Sequence, residues 1–119
     1  MKKVLVIAAV TALAAAAYGA WIYEDQWGEF GTGDGEFNSP GGVEVAPNGN
    51  VYIGDRGNHR MQYFTATGSF LGKWGSFGTG DGQFNSLTGA RAAPNGNMYV
   101  ADTGNHRMQY FTSSGSFLG

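Results

Sequence analysis

The chain has 119 residues, of which 21 are glycine, 14% are aromatic and 13% are charged. This length allows one small domain, and the aromatic content excludes a disordered low-complexity chain. Cysteine is absent, which excludes disulfide bonds and thiolate metal sites. The net charge is −2, so there is no basic surface for a nucleic-acid backbone and we expect no nucleic-acid partner.

The first 23 residues differ in composition from the rest of the chain. Lys2 and Lys3 precede an apolar, alanine-rich run over residues 4–17. A basic start, an apolar stretch and small residues at a cleavage site are typical of a secretory signal peptide. The segment therefore predicts export of the remainder to the periplasm or the cell surface.

The same segment is long enough to be a single transmembrane anchor that is not cleaved. Residues 4–23 carry no charge, and about 20 apolar residues of helix span a bilayer. Three aromatic residues follow as a membrane-interface belt would, namely Trp21, Tyr23 and Trp27. We favour the anchor over the cleaved signal, and both interpretations place the rest of the chain outside the cytoplasm.

The remainder of the sequence is an internal repeat. Residues 28–72 align with residues 75–119 at a constant offset of 47, and 13 of the 45 aligned positions differ. A period of this length is typical of repeat architectures built from one supersecondary unit.

Each repeat contains four strand candidates joined by tight turns. In the first repeat they are residues 43–46, 50–54, 60–64 and 69–74. The first two are joined by Asn48-Gly49, a pair that accepts the positive φ of a hairpin turn. The sequence therefore predicts an all-β fold of two four-stranded antiparallel β-propeller blades, preceded by one hydrophobic helix.

The repeat sets the expected domain organisation. We expect a signal or anchor at residues 1–23, a first blade at 24–74 and a second blade at 75–119 that is truncated in its last strand. Because residues 26–28 align with residues 73–75, residues 22–27 predict a stray fourth strand ahead of the first blade.

The repeats resemble the NHL-repeat family. The resemblance covers residues 27–119 and is carried mainly by residues 55–64, DRGNHRMQYF, and 102–111, DTGNHRMQYF. It implies a β-propeller, usually of six blades. The resemblance also implies a structural motif with the same members in both repeats: Asp55, Asn58, His59, Arg60, Asp102, Asn105, His106 and Arg107.

The two histidines of this motif allow a second interpretation. Some members of the family are peptide-amidating lyases that bind zinc through histidines of different blades. His59 and His106 alone would leave a tetrahedral zinc without a full set of protein ligands. We therefore favour a structural role, in which Asp55 caps the turn at residues 57–59 while His59 and Arg60 pack or pair between blades, and we expect no metal and no cofactor.

No catalytic constellation is visible elsewhere in the sequence. The loops around Asp34 and Asp81 read Gly-Thr-Gly-Asp-Gly but lack the lysine of a P-loop and the spaced acids of an EF-hand. We expect a non-enzymatic module that binds a protein partner or its own copies at the outer face of the membrane, and three chains of two blades would close a six-bladed ring. The alternatives are a fragment of an extracytoplasmic enzyme such as the lyase, and a single-pass accessory subunit of a membrane complex.

The anchor makes a testable prediction. If residues 4–23 span the bilayer, the chain should remain in the membrane pellet after carbonate extraction and keep its original N-terminus. Recovery of a soluble form that begins near Tyr18 or Ala20 would show instead that the segment is a cleaved signal.

Overall fold

A computed structural model describes residues 23–119, so the predicted signal or anchor and its hydrophobic helix lie outside the described residues, apart from Tyr23. The described part is all-β, as expected, and its sheets are mostly antiparallel. Its helical elements are two short 3₁₀ turns, Arg56–Asn58 and Thr103–Asn105. No helix within residues 23–119 is long and apolar enough to cross a membrane.

The first repeat forms a four-stranded antiparallel sheet whose strands follow one another in chain order. The four strands are β3 (Pro40–Val45), β4 (Val51–Asp55), β5 (Arg60–Phe64) and β6 (Phe70–Trp74). The predicted third strand, residues 60–64, is confirmed at both ends. β3 begins three residues earlier than predicted, because Pro40 pairs with Asp55 across an irregularity that precedes Val43.

The second repeat forms the corresponding sheet with three strands. They are β7 (Gly89–Ala92), β8 (Met98–Asp102) and β9 (Arg107–Phe111). At the place of the fourth strand, Phe117 forms an isolated bridge with Phe111.

The segment ahead of each sheet contains pairing that the sequence pattern did not predict. Two short strands, β1 (Glu29–Phe30) and β2 (Glu36–Phe37), pair in parallel, and Phe77 and Phe84 form the equivalent bridge. Residues 23–28 form no strand, so the predicted stray strand at residues 22–27 is wrong over its described part. Trp27 instead packs on Phe64 of the first blade, with ring centroids 5.9 Å apart.

The hydrophobic core lies between the two blades. Alternate residues of a strand point to opposite faces of a sheet. The rear face of the first blade consists of Tyr52, Gly54, Met61 and Tyr63, which are paired across β4 and β5. It packs on the front face of the second blade, which consists of Ala90, Ala92, Met98, Val100 and Phe111. Phe84 and Leu87, from the segment ahead of β7, complete this core and are fully buried.

Hydrogen bonds fix the register between the blades. The Tyr52 hydroxyl donates to the Ser113 carbonyl oxygen at 2.6 Å. The Ala92 amide donates to the Glu44 carboxylate at 2.7 Å. Gly42 lies so close to Gly89 that a Cβ on Gly42 would come within 3.1 Å of the Gly89 Cα. The two blades therefore meet through backbone contact on the inner strands and through side chains farther out.

Trp74 joins the outer strand of the first blade to the second blade. Its ring lies 6.1 Å from Tyr52, 6.0 Å from Tyr63 and 5.5 Å from Phe111, measured between centroids. Aromatic pairs at these separations add to the energy of apolar burial. Trp74 packs on Phe111 of the second blade as Trp27 packs on Phe64 of the first.

The repeat supplies a matched pair of substitutions for this core. Met61 is fully buried between the blades, whereas the equivalent Met108 is 61% exposed. We expect Met61→Ala to lower the free energy of unfolding by about 2–5 kcal/mol, as other buried methionine truncations do, and Met108→Ala to change it by less than about 1 kcal/mol. Chemical denaturation measures both. Equal losses in the two variants would contradict the position of the core.

Candidate functional site

The acidic motif of the first repeat, which recurs in the second, is a buried hydrogen-bond network. The Asp55 carboxylate is fully buried. One oxygen accepts from the Asn38 amide at 2.8 Å. The other accepts from Asn58 at 2.9 Å, from Arg60 Nε at 2.7 Å and from Gln62 at 3.2 Å. Both oxygens are therefore used by groups of the same repeat.

Arg60 carries this network to the loop at residues 31–36. Its guanidinium donates to the carbonyl oxygens of Thr32, Gly33 and Glu36 at 2.8–3.0 Å. Because a carbonyl oxygen in a loop has no strand partner, a buried cation that binds three of them fixes the loop conformation. Arg60 therefore stays within its own repeat, and the expectation that it pairs between blades is wrong.

The second repeat builds the same network around Asp102. The carboxylate accepts from the Asn85 amide, Asn105, Arg107 and Gln109 at 2.8–3.2 Å. Burial works to raise the pKa of Asp102, but the hydrogen bonds from Asn85, Asn105 and Arg107, together with the charge of Arg107, hold that pKa below its ordinary value.

The expected role of Asp55 as a turn cap is wrong in its detail. Its carboxylate accepts no hydrogen bond from a backbone amide of the 3₁₀ turn that follows, and the turn contacts it only through the Asn58 side chain. It instead reaches back across the sheet to Asn38 and forward to β5, because Asp55 still belongs to β4. The turn is closed by the His59 amide, which donates to the Arg56 carbonyl oxygen, with His59 in the left-handed conformation at φ 52°. The sequence analysis did not identify Asn38 and Gln62 as partners of this carboxylate. Their recurrence as Asn85 and Gln109 in the second repeat is the feature that could have indicated them.

His59 makes the contact between repeats that the sequence predicted for it. Its Nδ1 accepts a hydrogen bond from the Ser86 amide at 3.0 Å. Its ring stands edge-on to Phe77, with centroids 4.9 Å apart. His106, its equivalent, is exposed. The two histidines are thus used differently, although their local sequences are the same.

The remaining sequence candidates lie apart from one another. Within residues 23–119 there is no group of three or more histidine and acidic residues that could hold a metal ion. Asp34 pairs with Lys73 at 2.6 Å on the surface. Tyr23 is exposed, whereas Trp27 is half-buried against Gly68, and Trp21 lies outside the described residues.

Two blade faces of the described chain are open, in that no other blade covers them. The front face of the first blade consists of Val43, Val45, Val51, Ile53 and Phe64. Phe64 is buried against Trp27 and Phe37, and Val51 is also buried. Valines 43 and 45 of this face are each 63% exposed. The rear face of the second blade consists of Tyr99, Ala101, Met108 and Tyr110. Here Tyr99 is 40% and Met108 61% exposed, although Tyr52 and Met61 are fully buried in the first repeat.

Comparison with known sequences agrees with the repeat structure. The profile of the NHL repeat matches residues 37–64 and 84–111. The B-box type zinc finger protein ncl-1 of Caenorhabditis elegans is 43% identical over 49 residues, and Protein brain tumor of Drosophila melanogaster is 41% identical over 49 residues. Each alignment covers 41% of this chain, but only 6% and 5% of those proteins.

A third relative gives the same result. Protein lin-41 of Caenorhabditis elegans is 43% identical over 47 residues, which cover 40% of this chain and 4% of that protein. This chain thus matches a small fraction of the length of each relative. The described residues contain two NHL repeats, each of which forms a β-propeller blade.

The lowered pKa of Asp102 leads to a pH-dependent prediction. A carboxyl whose pKa is lower in the folded chain stabilises the fold above its unfolded pKa, near 3.8, and loses that contribution as the pH falls through the folded value. We expect Asp102→Asn to lower the free energy of unfolding by about 1–3 kcal/mol at pH 7 and to reduce the loss of stability below about pH 4. Urea denaturation at several pH values measures both effects.

The exposed acid of the neighbouring loop provides the control for this measurement. Asp81→Asn removes the same charge from the same repeat at an exposed position. We expect its stability at pH 7 to stay within about 0.5 kcal/mol of the parent chain. A similar loss in the two variants would mean that the buried network contributes nothing beyond its charge.

Proposed function

We propose that the chain is a non-enzymatic interaction module whose open blade faces bind protein. The observation that carries this proposal is the contrast between equivalent positions of the repeat. Met61 is fully buried where one blade covers another, and Met108 is 61% exposed where none does in the described chain. Apolar surface that is core in one repeat and open in the other is typical of a protein-binding surface.

The uses of the motif residues also support a structural module. Both carboxylates of the motif are saturated by hydrogen-bond donors of their own repeat. His59 Nδ1 accepts a backbone amide of the next repeat. A catalytic acid, base or ligand needs a free lone pair that faces the substrate, and these oxygens and this nitrogen face the protein.

We further propose that the module assembles from several blades. A contact between the rear face of one chain and the front face of another is heterologous, and such contacts close only when the rotation fits. In a propeller of six blades each blade turns by about 60°, so three chains of two blades would close the ring. The alternative partner is a different protein that covers the same two faces.

We place this module outside the cytoplasm. The proposal rests on residues 1–23, whose basic start and apolar run are typical of a signal or an anchor. With the anchor retained, the two blades would stand at the outer face of the membrane, as an accessory subunit of a membrane complex would.

Site-specific photocrosslinking tests the proposed function. A benzophenone amino acid is placed at Val45 or at Tyr99, one on each open face, and the full chain is irradiated in its native host. We expect discrete protein adducts at both positions. Met108→Lys should abolish the adducts at Tyr99, and Ile53→Lys should abolish those at Val45, because each variant disrupts the face that carries the crosslinker. Thr79 is exposed in a loop outside the strands of both sheets and provides the control. Adducts at Thr79 as strong as those at Tyr99, or none at either face, would contradict the proposal.

A further inference from the structure

We infer that the partner of the rear face of the second blade is the front face of the first blade in a second copy of this chain. This inference rests on the proposed function, because it names the occupant of the same open faces. The contact between the two blades within one chain provides its template. Every partner of that contact has an equivalent 47 residues away in the sequence.

The large apolar residues of the rear face are repeated without change, whereas Ala101 replaces Gly54. Tyr52, Met61 and Tyr63 of the first blade recur as Tyr99, Met108 and Tyr110. The stacking of the tyrosines is also retained, with centroids 5.0 Å apart in the first blade and 5.1 Å in the second. The second blade therefore already holds the aromatic surface that the first blade uses to bind its neighbour.

The front face is repeated with larger side chains. Val43, Val45 and Ile53 of the first blade replace the smaller Ala90, Ala92 and Val100, whereas Val51 replaces the larger Met98. Added volume in a packed interface costs free energy, so the contact between copies is weaker than the template. In the template, the backbone of Gly42 on the first blade approaches that of Gly89 on the second. In the contact between copies, Gly89 of one copy takes the place of Gly42 and Gly42 of the other takes the place of Gly89, so both positions remain glycine.

Ser39 presents a backbone donor in the conformation that the template uses. Ser86 has φ 52° and donates its amide to His59 Nδ1. Ser39 has φ 53°, a left-handed conformation that non-glycine residues seldom adopt. The histidine equivalent to His59 is His106, which is exposed. In the proposed contact His106 of one copy accepts the Ser39 amide of the other.

Phe30 and Tyr99 complete the contact in the same way. Phe30 is 82% exposed, and its equivalent Phe77 lies against the ring of His59. Phe30 would therefore meet His106 of the second copy. The Tyr99 hydroxyl would donate to the carbonyl oxygen of Ala66, which is equivalent to Ser113 in the template.

Arg91 removes a hydrogen bond of the template and so limits the strength of the contact. Glu44 accepts the Ala92 amide between the blades of one chain. Its equivalent on the rear face of the second blade is Arg91, which would meet the Val45 amide of the second copy. A guanidinium has no acceptor for that amide, so this hydrogen bond is absent. Self-association is therefore weaker than the contact within the chain, and Arg91→Glu should restore the missing acceptor.

Sedimentation equilibrium of the full 119-residue chain in a nonionic detergent tests the inference. We expect Arg91→Glu to strengthen self-association about tenfold, because it adds a charged acceptor for a buried amide. Met108→Lys should weaken it about tenfold or more, because it places a charge at the centre of the contact. Thr79→Lys adds the same charge in an exposed loop outside the strands of both sheets and should leave association unchanged.

The pattern across these variants decides the outcome. If the chains associate through residues 1–23, the parent chain and its three variants will associate equally, and that result would overturn the inference. A failure of Arg91→Glu to strengthen self-association would also overturn it. Met108 and Arg91 are exposed, so both variants should retain the circular dichroism of the parent. Photocrosslinks from Tyr99 that contain only another protein would overturn this inference and keep the proposed function, whereas the absence of protein adducts would overturn both.

Discussion

The buried aspartate at the end of the second strand is the interaction on which the rest of each repeat depends. Burial of a carboxylate is costly unless donors replace its water, and here four donors do so. They come from the loop ahead of the sheet, from the turn after the strand and from the third strand. One charge thus connects the loop, the turn and the third strand of the repeat.

This connection extends from the repeat to the contact between repeats. Asp102 holds the Asn85 amide, and the next residue, Ser86, donates to His59 of the first blade. Phe84, on the other side of Asn85, is fully buried in the core between the blades. The network therefore positions both the polar and the apolar contacts to the preceding blade, although it touches neither His59 nor the rear face itself.

The parts of this structure that could be predicted are those set by local sequence. The tight turns between the strand candidates bounded the third strand, residues 60–64, at its observed ends. The partners of the Asp55 carboxylate could not be predicted, because Asn38 lies 17 residues away from it and the intervening chain must first fold back. The bond from Tyr52 to Ser113 spans 61 residues. Contacts at such separations depend on how two finished sheets meet, which no pattern within a strand encodes.

The same limit applies to the front and rear faces. The same tyrosine stands in both repeats, but only the packing distinguishes the buried Tyr52 from the exposed Tyr99. Sequence identity at these two positions carries no information about which of them has a neighbour. For the same reason the sequence does not distinguish His59, which contacts the next repeat, from His106, which is exposed.

The position of the core between the blades makes each sheet a poor folding unit by itself. In a linear array of such units, stability is approximately the sum of an intrinsic cost for each repeat and a gain for each junction. An open array of n repeats has one junction fewer than it has repeats, whereas a closed array has as many junctions as repeats. Closure therefore adds a full junction without ordering any further backbone, and it removes the two weak ends from which such arrays fray.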